Sequence, residues 1–304
     1  MRSLLISLVI ASLLFFGCTS ENPIVGPTTE QGDIEVVSFN LLNDSSIFLG
    51  DSFKVSSVIK SSSENATYVV NIKLRDKIVF TDEFKGNKTI TPEIYAPING
   101  KLNLTINVYS KDISKFVDLN LENNEKTILL HIHSYGTYNF SSSTTKDTVI
   151  SNERVFSNKL TFENPVQINS IGSFLRVTAP LNVDSNLIYE IVKDDEGKPG
   201  NETVFDLKVQ LYRIKANWDF LLLQKDSIKL EPGTYWLNFY VDEKNFLEVG
   251  CRNVSNSTNS LIGNKINEEI YWKEHDCEAY FIISDSSLVE TYEDFSNRFS
   301  IFDT

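Results

Sequence analysis

Apolar residues recur at every second position through short stretches, and turn residues interrupt them roughly every ten residues. Ile34, Val36, Phe39 and Leu41 begin the pattern, and SFKVSSVIKSS, TYVVNIKLRD, KIVFTDEF, KLNLTINVYS and KTILLHIH continue it. Each stretch is bounded by Gly, Asn, Asp or Pro. A period of two is the period of a β-strand, whose side chains point alternately to the two faces of a sheet. No segment carries a sustained helical stripe. Strands of this length at this spacing can bury their apolar faces only against one another, as sandwiches.

The pattern divides the chain. Residues 33–133 hold short strands and read as one seven-stranded, Ig-like β-sandwich. Ser134 to Asn152 is polar and marks a boundary. Longer strands follow to about Asp285: RVFSNKLTF, VQINSIGSFLRV, SNLIYEIVK, ETVFDLKVQLYRI, WDFLLLQKDSIKL, GTYWLNFYVD and CEAYFIIS. They predict a second, jelly-roll-like sandwich over 134–285. The fold class is therefore all-β, two sandwiches in tandem. Residues 286–304 are a tail; Ser287 and Glu290 could form a capping box on a short helix, and an edge strand or disorder is equally open. A hydrophobic content of 41%, with 20 Phe and 12 Tyr, suffices for two cores.

The N-terminus carries a different signal. Arg2 precedes thirteen uncharged residues, Leu4 to Phe16, closed by Gly17-Cys18. The run is too short to span a bilayer, which takes ~20 apolar residues. It has the length of a secretory h-region, so 1–17 reads as a signal peptide. The run also resembles a prokaryotic lipoprotein signal, although Phe15 and Phe16 stand where that signal prefers Leu or Val and a small residue. The resemblance implies cleavage before Cys18 and lipidation of its thiol, and an ordinary signal peptide or an uncleaved apolar anchor remains the alternative. Residues 18–32 (Cys18, then TSENPIVGPTTEQG) read as a flexible tether. All versions put the rest of the chain outside the cell; the lipid anchor would hold it on the extracellular face of the cell membrane, in an archaeal or bacterial envelope.

Two further resemblances concern fold. FLGDSFKVSSVIKSSSENATYVVNIKLRDKIV, PINGKLNLTINVYS and LENNEKTILLHI resemble the CARDB family of cell-adhesion-related domains, in the Gly-Asp before a strand and the acidic Glu-Asn-Asn turn before the last one. The resemblance implies an Ig-like spacer or adhesion module without catalytic residues. IYEIVKDDEGKPGNETVFDLKV and WDFLLLQKDSIKLEPGTYWLNFYV resemble jelly-roll domains of prokaryotic surface proteins, some of which bind carbohydrate or calcium.

Charge and cysteines narrow the partners. A net charge of −13 argues against nucleic acid, whose phosphates need a basic surface. Cys251 and Cys277 remain after Cys18, and in an oxidising compartment they predict a disulfide, with two buried thiols as the alternative. Zinc is disfavoured: His275 lies near Cys277, but no CxxC accompanies it. Glycosylation sequons stand at Asn43, Asn65, Asn87, Asn103, Asn139, Asn201, Asn253 and Asn256.

Candidate sites are few. His131 and His133 lie two apart on one strand and share a face, with Leu130 and Ile132 inward. In GTYWLNFYVD the face opposite Tyr235, Leu237, Phe239 and Val241 carries Trp236, Asn238, Tyr240 and Asp242. Aromatics beside amide and carboxylate groups suit sugar rings, and Trp272 could join them. The competing reading covers that face with the Cys251–Cys277 loop. Asp194, Asp195 and Glu196 cluster in a turn that could hold a structural calcium; no other cofactor is expected. No catalytic motif appears. The chain thus reads as a membrane-anchored, non-catalytic adhesion or binding lipoprotein with envelope proteins or glycans as partners. A carbohydrate-binding protein is the alternative, and a two-carboxylate glycoside hydrolase a third.

Overall fold

The computed structural model describes residues 29–42, 46–137, 145–177, 184–214, 219–243, 245–255, 257–267 and 269–285. They form β-sheets and two single-turn 3-10 helices, Leu121–Asn123 and Leu211–Arg213. The leader, Cys18 and the tail from residue 286 lie outside the described residues. Among those described, no helix is long and apolar enough to cross a membrane.

In the first sandwich, alternation turns directly into a core. Along Gly100–Ser110 the side chains of Leu102, Leu104, Ile106 and Val108 are buried, while Lys101, Asn103 and Tyr109 are exposed. Its larger sheet runs Ile47–Phe48, Glu125–His133, Gly100–Ser110, Thr67–Leu74, Lys77–Lys85. The opposing sheet runs Ile34–Leu41, Ser52–Ser61, Lys88–Ile90, with Glu93–Tyr95 also paired to Ser52–Ser61. Between them Ile34, Phe53, Tyr68, Ile72 and Phe116 fill the core. Glu30–Gly32, at the end of the expected tether 18–32, is a strand paired in parallel with Phe116–Asp118.

The second sandwich has a jelly-roll strand order. One sheet sets Thr145–Ile150, Leu247–Asn253, Val166–Val177 and Asp219–Leu230 side by side. The other sets Arg154–Phe162, Gly233–Val241, Asn186–Asp195 and Lys198–Gln210 side by side. Apart from the hairpin of Asn186–Asp195 and Lys198–Gln210, successive strands therefore cross between the sheets, the two-Greek-key arrangement of a jelly roll. Three further strands and one hairpin extend it. Cys277–Ala279 pairs with Leu247–Asn253, and Phe281–Ser284 pairs with Val166–Val177. Tyr135–Thr137 then caps Phe281–Ser284. The hairpin Ser260–Ile266 and Glu269–Glu274 lengthens the second sheet beyond Arg154–Phe162.

Here burial is close to continuous where the first sandwich alternates. Residues 235–239 are buried at every position, so this strand is covered on both faces. Phe156, Leu160, Tyr189, Leu237 and Phe239 face the opposing sheet. Between the sheets Ser173 and Tyr189 join their hydroxyls at 2.6 Å, which satisfies two polar groups that burial would otherwise leave costly.

The two sandwiches interlock. Leu49, on the turn between Phe48 and Asp51, is 1% exposed and belongs to the core of the second sandwich. Gly50 takes φ +91°, and a Cβ there would press 3.2 Å from Phe162 and Val166. Only glycine occupies that backbone region without strain. Asn164 Nδ2 donates to the Gly50 carbonyl at 3.0 Å and to Ser52 Oγ at 3.1 Å. Gln167 N–H donates to the Pro97 carbonyl at 2.9 Å. Asn99, 2% exposed, donates to Ser134 Oγ and accepts from Ser284 Oγ and the Asp285 N–H. A boundary at residue 133 divides the sheets but not the packing.

Candidate functional site

The face of Gly233–Val241 expected to meet sugars is closed. Trp236 is 0% exposed and packs with Val192, Leu261 and Trp272. Its Nε1–H donates to Asp194 Oδ1 at 2.6 Å, and Lys159 Nζ lies 5.9 Å from the ring centroid. Asn238 is buried and accepts from Ser157 Oγ at 2.6 Å. Tyr240 is half-buried and donates to Glu190 Oε1 at 2.8 Å. Burial, reinforced by that carboxylate, pushes its phenol above the ordinary range. Asp242 is exposed, but it accepts from the backbone N–H and the Nδ2 of Asn186. Trp272 is half-buried and lies against Gly263, where a Cβ would fall 2.8 Å from its ring carbons. Side chains of the neighbouring strand, Val192, and of the edge hairpin, Leu261 and Trp272, thus close over Trp236, and no flat aromatic platform remains on this strand.

The acidic turn also has another role. Glu196 and Gly197 take φ +51° and +84° between the paired residues Asp195 and Lys198. These are the dihedrals of a two-residue type I′ hairpin turn. The Asp194 Oδ2 atom accepts the Gly197 N–H at 3.0 Å, while Oδ1 holds Trp236. Its carboxylate therefore braces the hairpin to the sheet. Among the described residues, no group of three or more His, Cys, Asp or Glu side chains is placed to hold a metal ion.

Other predicted residues fall as follows. His131 and His133 share a face, with ring centroids 4.3 Å apart, and Leu130 and Ile132 point inward. Cys251 and Cys277 form a disulfide with a Cα–Cα distance of 5.5 Å, both buried in the second core. The sequon residues Asn65, Asn87, Asn103, Asn201 and Asn253 are all exposed. Asn43, Asn139 and Asn256 lie outside the described residues.

A different place gathers chemistry: a pocket of about 350 Å³ at the junction of the sandwiches. The first sandwich supplies Phe48 and Asp51 from the interlocking turn. The connecting strand supplies Tyr135 and Gly136. The second supplies Asn158, Lys159, Arg252, Asn259, Glu278 and Phe281. Three aromatic rings and four charged groups thus line one cavity. Most of the polar groups are already engaged. Glu278 Oε1 accepts from Ser257 Oγ at 2.8 Å, and Oε2 accepts from Arg252 at 2.5 Å. Asp51 Oδ2 accepts the Phe48 N–H at 2.8 Å. Tyr135 accepts the Thr161 N–H at 3.3 Å. Burial pushes the Tyr135 phenol above its ordinary range, and the Asp51 and Glu278 charges push it the same way. Its hydroxyl is therefore a donor at neutral pH.

Asn158 is the exception. It is 2% exposed, and its Oδ1 accepts the Ala279 N–H at 3.0 Å. Its Nδ2 is buried without a hydrogen-bond partner. The Ala279 N–H fixes which side of the amide is which, so the orphan is a donor. Sequence reasoning missed this pocket because its residues come from six separate segments.

No protein-family model matches the chain, and no curated protein matches it. Among solved structures, it is similar to a CARDB domain from Pyrococcus furiosus in complex with di-metal ions. That alignment has 15% identity over 35% of this chain and 97% of the other, at a TM-score of 0.28. The solution structure of the same domain aligns at 13% identity over 34% of this chain and 98% of the other, also at 0.28. A carbohydrate-binding module of the β-sandwich superfamily aligns at 9% identity over 80% of this chain and 98% of the module, at 0.21. The assignment of fold rests on the strand order given above.

Proposed function

We propose that this protein is a non-catalytic binding or adhesion protein of the cell surface. It is tethered through its N-terminal leader, by a lipid on Cys18 or by the apolar run itself, and it engages envelope proteins or glycans. The observation that carries the reading is the junction pocket, a concave polar and aromatic site built on two interlocked sandwiches. Such a site suits recognition. A glycoside hydrolase needs two carboxylates free to act on the substrate. In this pocket both oxygens of Glu278 and one of Asp51 already accept hydrogen bonds from the protein, which favours binding over catalysis.

The test is cell fractionation with protease treatment of intact cells, comparing the full chain with its Cys18→Ala variant. The reading expects wild type in the membrane fraction and cleaved from outside. It expects Cys18→Ala to be released if lipid is the anchor, or retained if the apolar run is. Wild type found in the cytosol would end it.

A further inference from the structure

We propose that the end of the first sandwich where the chain enters seats in the lipid surface, with Ile113, Leu119 and Leu121 dipping between the headgroups. The proposal rests on the membrane tether put forward above and says how the tethered molecule stands. Three observations lead to a membrane as the occupant.

The first is the apolar surface itself. Ile113, Leu119 and Leu121 are 78%, 66% and 71% exposed, and Val117 between them is 38% exposed. The strand Phe116–Asp118 turns Phe116 into the core, so Val117 faces out. Phe116 meets the Tyr68 ring edge-on at 5.4 Å, which closes that end of the core. Packing inside the sandwich does not explain four outward apolar side chains within 113–121. A lone exposed leucine is ordinary, but a cluster marks an interaction surface.

The second is place. Thr29 Oγ1 donates to the Ser114 carbonyl at 2.9 Å. The Glu30 N–H donates to the Lys115 carbonyl at 2.9 Å, and the Leu119 N–H to the Gly32 carbonyl at 2.9 Å. The chain therefore enters along this apolar ridge. Residues 19–28 alone stand between Cys18 and Thr29, and a segment of that length reaches at most ~35 Å fully extended. The opposite end of the sandwich is the junction, where Asn99 bonds to Ser134 and Ser284. Gly100–Ser110 runs from that junction to the ridge, a length of roughly 35 Å. The ridge is thus the part of the sandwich next to the anchor, and the second sandwich lies beyond the far end.

The third is charge. Lys111 and Lys115 border the ridge, but Lys111 pairs with Glu83 at 2.6 Å and Lys115 with Asp112 at 3.3 Å. Asp118 and Glu122 add negative charge. The surface offers no surplus cation to acidic headgroups, so the attraction is apolar. A single acyl chain holds a protein to a bilayer only marginally, and stable attachment takes a second contact. The ridge supplies one and holds the second sandwich outward.

The experiment is fluorescence quenching by lipid-borne bromine. The full chain carrying Leu119→Trp is reconstituted from detergent into phosphatidylcholine vesicles, and flotation shows that it is bound. Its emission beyond that of wild type should fall about twofold when the acyl chains are brominated near the headgroup. Phe246→Trp, at an exposed position of the second sandwich, should show no such loss. Added phosphatidylserine should not deepen the quenching. If Leu119→Trp fails to fold by circular dichroism, Leu121→Trp takes its place. Unquenched emission from a folded, floating variant would overturn the proposal, as would equal quenching in Phe246→Trp or quenching that requires phosphatidylserine. Dimerisation through the ridge without quenching would assign it to a second copy and overturn the proposal too. All of these leave the tether standing, whereas a chain that does not float overturns both, so the two readings fail distinguishably.

Discussion

Trp236 depends on a charge placed 42 residues earlier in the chain. Its indole N–H meets the carboxylate of Asp194 at 2.6 Å inside a covered face, and hydrogen bonds to ionised groups are roughly twice as strong as neutral ones. Trp236→Ala should therefore destabilise the chain by about 3–5 kcal/mol. Trp236→Phe keeps most of the packing and should cost less, read from urea unfolding followed by circular dichroism. Tyr189 makes a different prediction. Complete burial holds its phenol well above the ordinary value, against a weaker opposite pull from Ser173. An unfolded chain loses that proton first as pH rises past ~10, so stability present below that pH declines above it. Unfolding free energies between pH 8 and 11 should fall, and fall less steeply in Tyr189→Phe. An equal slope in the variant would assign the alkaline loss to other groups, such as Tyr240.

Among the elements, the hairpin Ser260–Ile266 and Glu269–Glu274 decides what the second sandwich can expose. The Cys251–Cys277 bridge closes the loop that carries it. Replacing both cysteines by alanine should lower stability by about 3.5 kcal/mol in the chain-entropy model, measured by denaturant unfolding. Gly263→Ala should cost about 1–3 kcal/mol by pushing Trp272 off the sheet. These elements also mark where the sequence was readable. Strands whose burial alternates without a break, such as Gly100–Ser110 and Thr67–Leu74, could be located closely. The hairpin could not: its second strand is largely exposed, so no buried face imposes a pattern on NKINEEIYWKE. Alternation likewise separated Trp236 from Leu237, but it carries no record of what lies above each face. The cover over Trp236 comes from Val192 and Asp194 before it and from Leu261 and Trp272 after it, 25 or more positions away, a distance at which local pattern has no reach. The disulfide was legible because cysteine chemistry needs no periodicity.

For the whole molecule, the turn around Leu49 places a residue of the first sandwich in the core of the second. Leu49→Ala removes a buried side chain and should cost about 2–5 kcal/mol. Calorimetry should show one cooperative transition in wild type and two in the variant, as the sandwiches lose their common core. Two transitions in wild type would mean that the interlock contributes little. The junction was invisible in sequence because the strand pattern of 33–133 is complete without it. FLGD reads as an ordinary turn, and nothing local says that its leucine leaves one core for another. The interlock also bears on inheritance. Domains can be shuffled between genes when each carries its whole core. A gene fragment encoding only 134–285 would deliver a jelly roll with a hole where Leu49 had been, and one encoding only 33–133 would carry an apolar plug with no socket. Recombination at the polar boundary is thus penalised on both sides, and the pair should travel through genomes as a single heritable unit.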